Sequence, residues 1–270
     1  MTYERGMRFV GLRIVRIAEM PTLLFYPTRS EEQHEQLGPF PIRVARDAPI
    51  EDGRHPLVVI SHGSGGTTAT HRELARYLAA RGAVVAVPEH PGNHRLDNSL
   101  ADTEELLVRR PRDVLAVADW CQRELGVDCV VEQFSIVGHS MGAYTGLVAA
   151  RDPRVEALVL LAPATPWLRA PGALAHVRVP ILIRAGDEDS SAPADYMSQI
   201  VLDGVPDPSR VDYRVVPGAH HYAFLSPWPE AMRSPAISPS QDPPGFDRRA
   251  FLDRLYPEIE AFLRAARTRR

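Results

Sequence analysis

Apolar and polar positions change rhythm several times along this chain, and each change marks an element. Met7 to Ile17 and Pro21 to Tyr26 are β-like runs joined by Ala18-Glu19-Met20, predicting an N-terminal antiparallel hairpin. Thr28 to Asp52 is polar and punctuated by proline, with one short strand expected at Ile42-Arg43-Val44. From Pro56 onward, short apolar runs alternate with helical periodicity. The expected strands are Pro56–Ser61, Ala83–Val87, the run ending Phe134-Ser135-Ile136-Val137, Val155–Leu161, Val179–Ala185 and Val211–Val216. Between them, His71 to Arg81 has one apolar face and ends at Gly82. Pro111 is expected to open a helix carrying Val114, Val117, Ala118, Cys121 and Leu125. A small-residue helix follows Ser140, another spans Ala194 to Leu202, and an amphipathic one closes the chain from Phe246 to Arg267. Alternating strands and helices call for an α/β fold: a mostly parallel sheet with helices on both faces.

Continuous apolar runs as short as these fit strands buried on both sides, which a chain of 270 residues can supply within one domain. One domain over 1–270 is the expectation, with a proline-rich, lid-like loop at about 222–246. Charge adds little: the net value is −3, which points to neither nucleic acid nor an anionic membrane surface as partner. All 31 basic residues are arginine, which excludes Schiff-base, Ser-Lys and P-loop chemistry, since each needs a lysine amine. Cys121 and Cys129 are too few for a disulfide framework, and neither has metal-ligand spacing. Met1 to Met20 interleaves arginines and glutamates with its apolar residues, unlike a signal peptide, and no stretch is long enough to span a membrane. A cytoplasmic protein is expected; the sequence is silent on oligomeric state.

Chemistry gathers around Gly138-His139-Ser140-Met141-Gly142. A buried-strand run leads into Gly-x-Ser-x-Gly and a helical pattern leaves it, as in a nucleophile elbow that holds a serine hydroxyl clear of the sheet. A serine needs a base, an acid to orient that base, and donors for the oxyanion. In this arrangement the acid follows the serine and the histidine follows the acid. Both occur in order, each just beyond a strand. Asp187-Glu188-Asp189 follows Ala185-Gly186, and His220-His221 follows Val216-Pro217-Gly218-Ala219. Ser61-His62-Gly63-Ser64-Gly65-Gly66, after the first buried strand, can turn amides toward an oxyanion. The expected donors are the backbone N–H groups of Met141 and Ser64, with Gly63 as the other candidate. His62 and His139 are expected to hydrogen-bond the loops around the site. His90 and His94 share a His-x-x-x-His spacing, but Pro91 and Gly92 between them forbid the helix that zinc ligands would want, so no metal is expected. Glu89 and His90 are candidates to line the pocket, together with Trp167, Phe224, Leu225 and Trp228.

These motifs together resemble the α/β-hydrolase superfamily. Within it the chain is similar to bacterial predicted dienelactone hydrolases and to platelet-activating-factor acetylhydrolase-like esterases. The resemblance runs from His55–Gly66 through Pro88–Asn93, Gly138–Tyr144 and Gly218–Leu225 to Asp242–Asp247. It implies Asp189 as the acid, from Gly-x-x-Asp-x-x-x-Pro over 186–193, with Asp187 as the alternative. It also implies His221 as the base, from Ala-x-His-aromatic-x-Phe-Leu over 219–225, leaving His220 beside the site. The dienelactone hydrolases carry a cysteine nucleophile where this chain has Ser140, and the family's cysteines near Ser226 to Asp242 are missing here. The implied activity is hydrolysis of a small-molecule carboxylic ester or lactone through an acyl-enzyme, with no cofactor. The alternatives are amide, carbamate or C–C hydrolysis by the same triad, or a non-catalytic binding module.

Overall fold

The computed structural model describes residues 8–126 and 128–268. Met7, at the head of the first expected strand, lies outside the described residues. The hairpin forms as the alternation predicts. β1 (Phe9–Ile17) pairs antiparallel with β2 (Met20–Thr28) across all nine positions, turning at Ala18, whose φ is +50°.

The chain divides into two compact units. The first comprises residues 1–60 and 65–134, the second 61–64 and 135–270. In the first, β3 (Gln33–Leu37) and β4 (Phe40–Arg46) form a second hairpin, and β4 runs parallel to β1. β3 was not expected. Its Gln-His-Glu-Gln-Leu sequence is mostly exposed, so it carries no apolar signature. β5 (His55–Ser61), which ends one residue into the second unit, pairs parallel with β6 (Val84–Pro88); β6 pairs antiparallel with β2. Strand order within this unit is β5-β6-β2-β1-β4-β3. α1 (Arg72–Ala79) packs on β6 and β2 through Leu74, Ala75, Leu78 and Ala79.

The other helix of this unit corrects the sequence reading. α2 runs Glu104–Leu125, with Pro111 inside it rather than at its start. The start is capped by Thr103, whose hydroxyl oxygen accepts the Leu106 N–H at 3.3 Å, and Glu104 and Glu105 fill the positively polarised first turn. These contributions offset the one backbone bond that an interior proline removes. Thr103→Ala should therefore lower unfolding stability by about 1 kcal/mol in a urea titration. Residues 104–110 are thus the first two turns of a helix.

β7 (Val130–His139) carries the chain into the second unit. There follow α3 (Met141–Ala149), β8 (Val155–Leu161), β9 (Ile181–Gly186), α4 (Ala194–Gly204), β10 (Val211–Val216) and α5 (Arg248–Thr268). Strand order is β10-β9-β8-β7, with β8, β9 and β10 in parallel. From β5 onward every strand-to-strand pairing described within either unit is parallel except that of β6 with β2. β8 is buried at every position, as its apolar run predicts, whereas β10 at the end of the order alternates and is half exposed. α5 buries Phe251, Leu252, Leu255, Ile259 and Leu263 and packs on β8. The excursion over 222–246 holds only two short 3₁₀ turns, Glu230–Met232 and Ser238–Ser240.

Candidate active site

Ser140 occupies the turn between β7 and α3 with φ +54° and ψ −118°, a strained conformation for a residue with a side chain. The turn is held by three backbone bonds. Ser140 N donates to Leu161 O at 3.0 Å, and Ser140 O accepts from Ala143 N at 2.9 Å and Ala164 N at 3.1 Å. Both motif glycines are required by space. A Cβ on Gly138 would overlap the Gly142 carbonyl, and one on Gly142 would overlap the carbonyl oxygen of Ser61. The Ser61–Ser64 segment therefore runs directly against the elbow; a Cβ on Gly63 would lie 3.1 Å from Ser140 Cβ. Met141 is the first residue of α3, so its N–H has no partner inside the helix and sits at the positive end of the helix dipole. The oxyanion candidates Ser64 and Met141 thus belong to the two segments that meet at Ser140.

The acid and histidine loops are zipped together. Asp187 accepts the Gly218 N–H at 2.6 Å, Glu188 N donates to Ala219 O at 3.1 Å, and Gly186 has no room for a Cβ beneath the Ala219 carbonyl. His221 Nδ1 lies 2.7 Å from Asp189 Oδ2, and the Asp189 carboxylate is wholly buried. Asp189 Oδ1 accepts the Ser191 and Ala192 N–H groups at 2.9 and 2.8 Å. An ionised Asp189 can only accept, so Nδ1 carries the proton and a neutral His221 presents its lone pair at Nε2. Asp187, the alternative acid, is instead exposed and used by the turn.

His139 ties this histidine to the elbow. Its Nε2 donates to the His221 carbonyl at 2.9 Å, and the two rings lie 4.9 Å apart. His62 Nδ1 bonds the Gly63 carbonyl at 2.7 Å. Both flanking histidines hold loops, as the sequence suggests. Among the described residues the Ser140 hydroxyl and His221 Nε2 have no hydrogen-bond partner. Contacts of this type commonly tighten only when substrate is bound.

The pocket candidates divide. Trp167, 42% exposed, stands in a 3₁₀ turn after β8 with its ring edge-on to Tyr144 at 5.5 Å. Tyr144 is in the first turn of α3, which brings Trp167 toward the elbow. Trp228 is half-buried and Leu225 is buried. Phe224 is a correction: it is 0% exposed and packs edge-on against Phe251, so it is core and has no surface to offer a ligand. His90 is a second correction. It lies in the first unit, fully buried, with Nδ1 2.9 Å from Asp113 Oδ2. Burial, and then the charge of Arg110, push its pKa well below the usual histidine value, while burial raises Asp113 to about 6. Arg110, its own pKa lowered by burial to about 9, bonds Asn93 Oδ1 at 2.7 Å. This cluster organises the start of the Glu89–Asp102 loop. Glu89 itself lies 3.6 Å from His94 Nδ1, so the two histidines of the His-x-x-x-His spacing face different carboxylates. Among the described residues no group of histidine, cysteine and carboxylate side chains is arranged to hold a metal, and no helix is long and apolar enough to cross a membrane.

The sequence reading missed the contacts behind His220. Its Nε2 lies 3.1 Å from Asp242 Oδ1, and the buried Arg248 bonds the same oxygen at 2.7 Å. Asp242 and Arg248 stand 22 and 28 residues along the chain from His220, and no local pattern joins them.

Residues 56–177 match the family model for the alpha/beta hydrolase fold, a span holding the Ser61–Ser64 segment and the elbow but ending before Asp189 and His221. A Mycobacterium tuberculosis protein that bears the name phosphoribosyl transferase is 28% identical over 200 residues, covering 72% of this chain and 42% of that protein. An uncharacterized protein from the same organism is 29% identical, over 63% of this chain and 64% of its own length. A Thermobifida fusca cutinase is 28% identical, over 65% of this chain and 52% of its own length. The chain thus spans about two fifths to two thirds of the length of these relatives. With the parallel strands after β5, the antiparallel hairpin before them and the strand-to-helix turn at Ser140, the chain has the alpha/beta hydrolase fold.

Proposed function

We propose that this protein is a serine hydrolase that cleaves a small-molecule carboxylic ester or lactone through Ser140, His221 and Asp189. The hydrolase fold and the cutinase relatives support a hydrolase of the esterase type. The observation that carries the finer reading is the 2.7 Å bond from His221 Nδ1 to a buried carboxylate, on a loop bonded to His139, the residue beside a strained serine. In the first half-reaction Ser140 Oγ attacks the carbonyl carbon and its proton passes to His221 Nε2. Asp189 stabilises the imidazolium, and the N–H groups of Ser64 and Met141 hold the oxyanion. Collapse expels the alcohol, which takes the proton from His221, leaving an acyl-serine. Water then attacks with His221 again as base, and the acid is released. No step calls for a cofactor. Trp167 and Trp228 are proposed as apolar walls for the acyl or alcohol group, with the 222–246 loop as one side of the site. The finer resemblance to dienelactone hydrolases fits a lactone or compact ester.

Intact-protein mass after exposure to a fluorophosphonate tests the reading. A single adduct on the wild type, absent from Ser140→Ala, is expected. No adduct on folded wild-type protein would overturn the triad as a working unit.

A further inference from the structure

The site contains a second Asp–His pair, built on the residue next to the base. Arg248, 3% exposed, is its hub: Nε bonds Asp242 Oδ1 at 2.7 Å, Nη1 bonds Pro239 O at 2.8 Å and Nη2 bonds Gln241 O at 2.6 Å. Its Nη2 also comes within 3.4 Å of His220 Nε2, which lies 3.1 Å from the carboxylate of Asp242. The His220 ring is flanked edge-on by Tyr222 at 6.0 Å and Phe246 at 6.4 Å. One buried guanidinium therefore fastens the end of the proline-rich excursion, the start of α5 and the turn that carries His221. Burial alone would raise the Asp242 carboxyl, but the His220 bond and the Arg248 charge outweigh it and hold the group below its usual value.

We propose that Asp242 and Arg248 are positioning residues for ester hydrolysis, pinning the 218–222 turn through His220 so that His221 keeps its place beside Ser140. The inference rests on the reading of His221 as general base. Opposite the pin, the turn is held by Asp187 at Gly218, by the Glu188 N–H at the Ala219 carbonyl, by Asp189 at the His221 ring and by His139 at the His221 carbonyl. Removing the pin leaves those bonds in place and frees the other side. A loosened base costs turnover more than binding, since small displacements of reacting groups can cost 10²-fold.

The pair also sets the field at the base. Near Arg248 stand the charged Asp242 and Arg233 and the neutral Tyr256 phenol; facing His221 are the Asp189 carboxylate, the His139 ring and the Tyr222 phenol. While Asp242 and Arg248 remain together their opposite charges counter one another. Taking one away unbalances them, and the sign depends on which is lost. Asp242→Asn leaves Arg248 positive, disfavours the imidazolium and moves the acid limb of the kcat/KM profile to lower pH. Arg248→Met leaves Asp242 negative and moves that limb to higher pH. Each shift should be about half a pH unit.

The experiment measures kcat, KM and the pH profile on 4-nitrophenyl butyrate for wild type, His221→Ala, Asp242→Asn, Arg248→Met and Arg248→Lys. Expected are a roughly 10- to 100-fold fall in kcat with KM within about threefold for Asp242→Asn and Arg248→Met, and limb shifts of opposite sign. Arg248→Lys should keep the wild-type profile while losing turnover, because the charge remains and the forked geometry does not. If Arg248→Met does not fold, Asp242→Asn and Arg248→Lys carry the test. Should His221→Ala retain wild-type activity, the reading of the base fails. If His221→Ala is inactive while the folded Asp242 and Arg248 variants keep wild-type kcat and profile, the positioning inference fails. A lowered melting temperature with unchanged kinetics also overturns it, leaving only an anchor of the fold.

Discussion

An Asp189→Asn variant should lose roughly 10⁴-fold in kcat on 4-nitrophenyl butyrate, while Asp187→Asn stays within about tenfold of wild type. The asymmetry follows from who bonds to each carboxylate. Asp189 Oδ1 receives two backbone N–H groups, from Ser191 and Ala192, and only Oδ2 faces His221. An asparagine must keep its carbonyl oxygen on those two donors, because an NH₂ there would meet hydrogens head-on. Its NH₂ is thereby turned toward His221 Nδ1. The ring then accepts at Nδ1 and carries its proton on Nε2, the tautomer that cannot take a proton from serine. Asp187 accepts a single N–H from Gly218, which an amide oxygen replaces at little cost. Steady-state kinetics on the two variants, with melting curves to show both are folded, decides between the carboxylates. A mild Asp189→Asn beside a crippled Asp187→Asn would reverse the assignment.

Much of this arrangement is legible in the sequence because its signals are local. β8 and β10 keep their expected bounds to the residue, β8 because seven buried positions leave a nearly continuous apolar run and β10 because its apolar letters alternate with polar ones. The elbow is legible because Gly138 and Gly142 are dictated by atoms a few residues away in space that nearly every such turn contains. What was not legible depends on distant partners or on burial. β3 satisfies its backbone against β4 while exposing most of its side chains, so nothing apolar marks it. α2 starts seven residues before Pro111 because Thr103 caps it, a signal outweighed in the reading by the proline. Phe224 and His90 have letters that suit a pocket wall, but whether a side chain ends at a surface is set by what packs on it. In these cases that is Phe251 from α5 and Asp113 from α2. The choice between Asp187 and Asp189 could be made only through family resemblance, because two carboxylates two residues apart on one loop carry the same local chemistry.

The second large effect concerns space. Gly142→Ala adds one methyl group, and it should destabilise the protein by about 3 kcal/mol or more and remove most esterase activity. Gly142 is helical, in the first turn of α3, so alanine would by propensity favour that helix by roughly 1 kcal/mol. The sign is reversed by the Ser61 carbonyl, which occupies the place the new Cβ would take. Backbone cannot rotate aside as a side chain can. Either α3 withdraws, carrying the Met141 amide with it, or the Ser61–Ser64 segment retreats and takes the Ser64 amide away. Each route separates one of the proposed oxyanion donors from Ser140, so stability and kcat should fall together. Gly172→Ala supplies the contrast. Its φ of +78° makes alanine strained, yet nothing lies within 4 Å of the added atom, so a loss near 1 kcal/mol with unchanged kinetics is expected. Urea unfolding and 4-nitrophenyl butyrate kinetics on the two variants test the argument. A Gly142→Ala protein as stable and as active as wild type would mean that the elbow and the Ser61–Ser64 segment do not meet as described.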